Sequence, residues 1–213
     1  MRRIFFKILI AAMLSALFWV SANGQDTLHF KMDSVEYRNA FRSLRLHDSI
    51  GDKHSEIQDL ISISWLLTNA AELDKSMECL QKARQLCDET ADSTLMANVT
   101  LLLADNYKSI GAFNTAYRYY QEADSIFSMT GNIQFHIFTQ FCKAYCKQNE
   151  YEHTGSAAAI DTAIALIKRQ RPLIDSLRPE HKIPMMLIVS RVLISKSICV
   201  AGLPSVEFLR EAI

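Results

Sequence analysis

The chain has 213 residues, enough for one domain or a short repeat array. Its 23 basic and 23 acidic residues balance, so net charge offers no case for a nucleic-acid partner. Six Gly and four Pro against a hydrophobic content of 49% leave few breakers, and the expectation is an all-α fold.

The first 24 residues read as a signal peptide. Arg2, Arg3 and Lys7 make a basic start, and Ile8 to Val20 is an apolar run of 13 residues. That run falls short of the roughly 20 residues a membrane helix needs, so a retained anchor is the second reading. Small residues then allow cleavage after Ala22 or Gly24. The segment holds no Cys, which argues against a lipid anchor. Its removal takes three basic residues and no acid, leaving 20 basic against 23 acidic, a net charge of −3. A mildly acidic exported protein is the expectation, and residues 25–32 form a short linker.

Helical segments follow in order. Asp33 to Ile50 opens with Asp33 and Glu36 three residues apart, a capping-box arrangement. His54 to Asp88 reads as a hairpin turning at Asn69-Ala70-Ala71, and Ser93 to Met129 as a second turning at Gly111. Asn132 to Arg169 reads as a third, with Asn149 in the place of the turn Gly and a longer turn over Glu152 to Gly155. Ile183 to Val200 begins a fourth, with a turn at Ala201-Gly202-Leu203-Pro204 and a second helix from Ser205.

These segments repeat. Ala83, Ala123 and Ala163 are 40 residues apart, and so are Leu80, Tyr120 and Ile160. Leu46, Leu86, Ile126 and Leu166 keep the same interval, as do Gly51-Asp52, Ala91-Asp92 and Gly131-Asn132 at the expected junctions. One hairpin cannot bury its apolar face alone. Stacking hairpins buries each face on the next and builds a solenoid.

Residues 103–127, LADNYKSIGAFNTAYRYYQEADSIF, show the unit most clearly. Ala104 and Tyr107 precede Gly111, and Ala116, Tyr120 and Ala123 follow it at close-contact spacing. This pattern resembles the tetratricopeptide repeat (TPR), over about residues 33–213 and at a period longer than the common 34. The resemblance implies a right-handed α-solenoid of about three full repeats with partial units at each end. The array stops at Ile213 without a polar capping helix, which reads as truncation at the C-terminus.

Signatures of enzymes are missing: no Gly-rich phosphate loop, no Gly-x-Ser-x-Gly, no His-Glu-x-x-His. The expectation is therefore a non-enzyme without cofactor or metal. Five cysteines, an odd number, leave at least one unpaired. Cys142 and Cys146, four apart on one helical face, suit a disulfide poorly. With His136 and His153 they match no usual zinc spacing, and small buried hydrophobes is the better reading.

In TPR arrays the first helix of each repeat lines a concave groove. The resemblance places Gln58, Ser62, Trp65 and Asn69 there from repeat one. Asn98, Leu102, Asp105, Lys108 and Ser109 come from repeat two, and His136, Gln140, Lys143 and Lys147 from repeat three. Asp105 follows Ala104 where carboxylate-clamping members carry Asn, which argues against a C-terminal carboxylate ligand. Tyr117, Tyr119 and Tyr120 fall on the second helix, in the core or on the convex side.

The implied function is protein–protein interaction. The chain resembles the exported TPR part of Gram-negative envelope regulators, in which a membrane helix and a cytoplasmic signalling domain follow. A free periplasmic or secreted assembly scaffold is the alternative, and a solenoid binding a small molecule or glycan is a third.

Overall fold

A computed structural model describes residues 35–170, 173 and 179–200. The signal peptide, the linker, the Asp33 cap, the turn at 201–204 and the segment from Ser205 lie outside them. The described residues form α1 (Val35–Ile50), α2 (Lys53–Asn69), α3 (Leu73–Thr90), α4 (Ser93–Ser109), α5 (Phe113–Met129), α6 (Ile133–Thr154), α7 (Ala157–Gln170) and α8 (Pro179–Val200). Among them there is no strand, and no helix is long and apolar enough to cross a membrane.

Each helix packs on the next, and α2 also touches α4, as α6 touches α8. Two layers result: α2, α4, α6 and α8 in one, and α1, α3, α5 and α7 in the other. This is an all-α, solenoid-like stack.

The turns explain the even rhythm. Gly51, Ala71, Ala91, Gly111 and Gly131 fall every 20 residues, and all five have φ between +52° and +77°. A left-handed residue after the last helical turn reverses the chain and lets amides reach back to the open carbonyls. Asp52, Glu72, Ala112 and Asn132 do so, donating backbone N–H bonds of 2.9–3.0 Å to His47, Leu67, Tyr107 and Phe127. The turns between hairpins carry a further device. Asp52, Asp92 and Asn132 accept, through their side chains, the N–H groups of Ser55, Leu95 and Phe135. These bonds hold donors that the first helical turn leaves open. Glu72 and Ala112, inside hairpins, make no such cap.

The third hairpin departs from the expectation. Asn149 does not form its turn. It lies within the 22-residue α6, where its Nδ2 donates to Tyr145 O at 2.8 Å, and the chain reverses at Gly155, φ +67°. Asn tolerates the left-handed region but does not require it. Once its amide binds its own helix, nothing stops the helix. The extra length thus sits in helix, not in a longer turn.

Three apolar clusters follow one another, each built from a hairpin and the first helix of the next. The first gathers Ile57, Leu80, Ala83 and Cys87 with Leu95 and Val99, and the second gathers Ala104, Ala116, Tyr120 and Ala123 with Cys142 and Cys146. The third gathers Phe141, Ile160 and Ala163 with Val192. Ala83, Ala123 and Ala163 are fully buried, as are Leu80, Tyr120 and Ile160. These two columns hold the helices together: the methyl-sized position lets two backbones approach, and the larger one fills the space beside it. The column of Leu46, Leu86, Ile126 and Leu166 is peripheral, with Leu46 exposed and the others half-buried.

Candidate partner-binding groove

The residues expected in the groove separate by helix. On α2, Gln58, Ser62, Trp65 and Asn69 recur at helical spacing and are all exposed, Trp65 by 57%. The opposite side of α2 carries Ile57, Leu60, Ile63, Ser64 and Leu67 into the core, which fixes this outward stripe. Its polar bonds are local. Gln58 Nε2 lies 3.0 Å from His54 Nε2, and Ser62 Oγ donates to Gln58 O at 2.9 Å.

On α4, Asp105 is half-buried and already engaged. The Tyr120 hydroxyl donates to its Oδ1 at 2.6 Å, and the Lys108 ammonium bonds the same oxygen. Burial opposes the charge of Lys108, but Asp105, together with the neighbouring Cys142 and Cys146, outweighs it and holds the ammonium above its ordinary value. Asn98 and Leu102 are half-buried and Ser109 is exposed, its Oγ donating to Asp105 O at 2.9 Å.

On α6, polar side chains turn inward. Gln140 and Lys143 are 6% and 7% exposed. Both donate to Asp124 Oδ2 on α5, at 2.7 Å and 3.1 Å, while Thr139 Oγ1 donates to Oδ1 at 3.0 Å. His136 Nδ1 lies 2.7 Å from Asp124 Oδ1 without hydrogen-bond geometry. Lys147 is half-buried, bonded to Glu150 at 2.6 Å and 4.8 Å from the centre of the Tyr117 ring. Burying Gln140 and Lys143 is tolerable because one carboxylate gathers them.

The geometry therefore brings Gln58, Ser62, Trp65 and Asn69 together on a free face. It commits Asp105 and Lys108 to Tyr120, and Gln140 and Lys143 to Asp124. No protein-family model, no curated protein and no solved structure matches the chain.

Two polar centres escaped the sequence reading. Asp124 is one; it follows Ala123 in a packing column, and the burial of that column was the available signal. The other ties the first two hairpins. Thr68 Oγ1 donates to Asn106 Oδ1 and Asn106 Nδ2 donates to Ser76 Oγ, at 2.9 Å and 2.8 Å, while Ser64 and Ser76 hydroxyls meet at 2.9 Å. Ser64 shares its 40-residue column with Ala104 and Ala144; a hydroxyl among alanines was the clue.

The cysteines are free. Burial pushes the Cys87 thiol up to about 11 and Cys146 up to about 12, and Cys142 rises for the same reason. Thiols held protonated are poor nucleophiles and poor metal ligands. Among the described residues, no group of three or more His, Cys, Asp or Glu is placed to hold a metal ion.

Proposed function

We propose that this chain is a non-catalytic protein-interaction module of TPR type, exported, and part of an envelope signalling protein. The observation that carries the interaction reading is the exposed α2 stripe of Gln58, Ser62, Trp65 and Asn69. On α4 and α6 the expected groove residues Asp105, Lys108, Gln140 and Lys143 are tied to side chains of other helices or of each other, whereas the α2 stripe bonds only within its own helix and presents amides, a hydroxyl and an indole to solvent. Trp is among the residues that most often anchor interfaces, since one side chain supplies both a large apolar area and a donor. Neutral donors and acceptors around it suit an uncharged peptide segment laid along α2. Export rests on the leader pattern at residues 1–24, and the signalling context on family analogy.

Crosslinking in cells tests the reading. A photoreactive residue replacing Trp65 should capture a protein partner. The same residue replacing the exposed Lys168 on α7 should not. Equal capture at both positions, or none at position 65, would sink the proposal.

A further inference from the structure

A second surface lies on the other layer, independent of the groove. α3 and α5 part over α4 to leave a cleft of about 510 Å³, floored by Leu103 and Tyr107. That size is in the range of small-ligand sites. Arg84 on α3 reaches across to Glu122 on α5, with Nη2 to Oε1 at 2.6 Å. The Tyr107 and Tyr119 rings stack at 5.2 Å with an interplanar angle of 10°, and the Arg84 guanidinium sits 5.8 Å from the Tyr119 centroid. One wall is thus fixed before any ligand arrives.

The remaining polar groups are uncommitted. Arg118, Gln81 and Thr115 line the same cleft, and among the described residues none of the three makes a side-chain hydrogen bond or ion pair. The next joint shows the contrast. Forty residues on, Arg84, Leu103, Tyr107 and Tyr119 correspond to Asp124, Lys143, Lys147 and Ala159. There Asp124 gathers Thr139, Gln140 and Lys143 into an internal network. The floor that is apolar and aromatic in the first cleft is thus occupied by a bonded network in the next joint, and Arg118 has no counterpart there, since Ala158 stands forty residues on.

We infer that the α3–α5 cleft binds a small hydroxylated carboxylate of the sugar-acid class, with Arg118 holding the carboxylate. The chemistry selects the class. Arg84 and Arg118 against Glu122 give the lining a net charge of +1, which complements a monoanion better than a phosphate dianion. A guanidinium offers the paired donors a carboxylate accepts. Gln81, Thr115 and the second Glu122 oxygen can exchange hydrogen bonds with hydroxyls. Because Tyr107 and Arg84 already cover Tyr119, the cleft favours a polar ligand over a flat aromatic one.

Titration of the purified, isotope-labelled protein with galacturonate tests this by NMR. Saturable shifts are expected at Gln81, Thr115, Arg118 and Tyr119, with a Kd of about 1 mM for so small a ligand. Galactose, and galacturonate on Arg118→Ala, should each bind about tenfold more weakly, the loss of one charge-assisted contact. Arg118 is exposed, so the variant keeps the fold. Glu122→Gln should move preference toward galactose 6-phosphate, because loss of the only acid in the lining raises its net charge from +1 to +2. Absence of saturable shifts at those four residues would overturn the assignment. So would equal binding of galactose and galacturonate, full binding by Arg118→Ala, or a native preference for the phosphate ester.

Discussion

The hydroxyl of Tyr120 on α5 donates a 2.6 Å hydrogen bond to Asp105 Oδ1 on α4. The ring is fully buried and fills the space between Ala116 and Ala123. A phenol in that column must find an acceptor, and Asp105 supplies it. Tyr120→Phe keeps the packing and loses the bond, so it should cost about 1 kcal/mol. Asp105→Ala strands the buried hydroxyl and should cost about 2 kcal/mol. Urea unfolding followed by circular dichroism checks both, and a larger loss for the phenylalanine variant would contradict the account.

Asp124 should be the most sensitive acid in the molecule. Asp124→Ala leaves the Lys143 ammonium buried beside Gln140 without a partner, at a cost of about 3 kcal/mol. Adding Lys143→Met removes the stranded charge and should recover most of that loss. A double-mutant cycle read by thermal unfolding measures the recovery; strictly additive losses would refute the pairing.

Ala91 occupies a left-handed turn, φ +52°, where Gly51 and Gly131 stand in the neighbouring joints. It is exposed, so its methyl group contributes little to packing. Ala91→Gly should therefore stabilise the protein by about 0.5–1 kcal/mol, since the strain removed exceeds the added flexibility of the unfolded chain. A rise in Tm is the expected result, and a fall would show that the turn carries no strain.

The buried thiols set a pH limit. In the unfolded chain a Cys loses its proton near 9, whereas in the fold Cys87 keeps it to about 11 and Cys146 to about 12. Between those values the native state binds more protons than the unfolded one, so stability is intact below pH 9 and falls as pH rises. Denaturation at pH 8 and pH 10.5 should show this loss, and Cys146→Ala should flatten the slope. Thiol-reactive dye at pH 8 should label Cys79 and Cys199, both half-buried, well before Cys87, Cys142 and Cys146.

The repeat was legible because packing dictates it. Where two helices cross closely only a small side chain fits, so Ala83, Ala123 and Ala163 recur whatever the surface does. Turns were legible for the same reason wherever geometry left few choices, as at Gly51 and Gly131. Asn149 misled because tolerance of a conformation is not a demand for it. The groove residues were harder to read. A polar residue on the inner helix of a repeat can face solvent, as Gln58 does, or reach into the joint, as Gln140 does. The difference depends on an acid 16 positions earlier in another helix. Periodicity carries no information about such a pairing, whereas it carries nearly all the information about the columns.

The junctions Gly51-Asp52, Ala91-Asp92 and Gly131-Asn132 share one left-handed residue and one side-chain cap. A crossover between any two of them would rejoin like with like, adding or excising a hairpin while leaving each helix end as it was. The molecule is thus built to change length by whole units, and its reach can evolve separately from the chemistry of its surfaces.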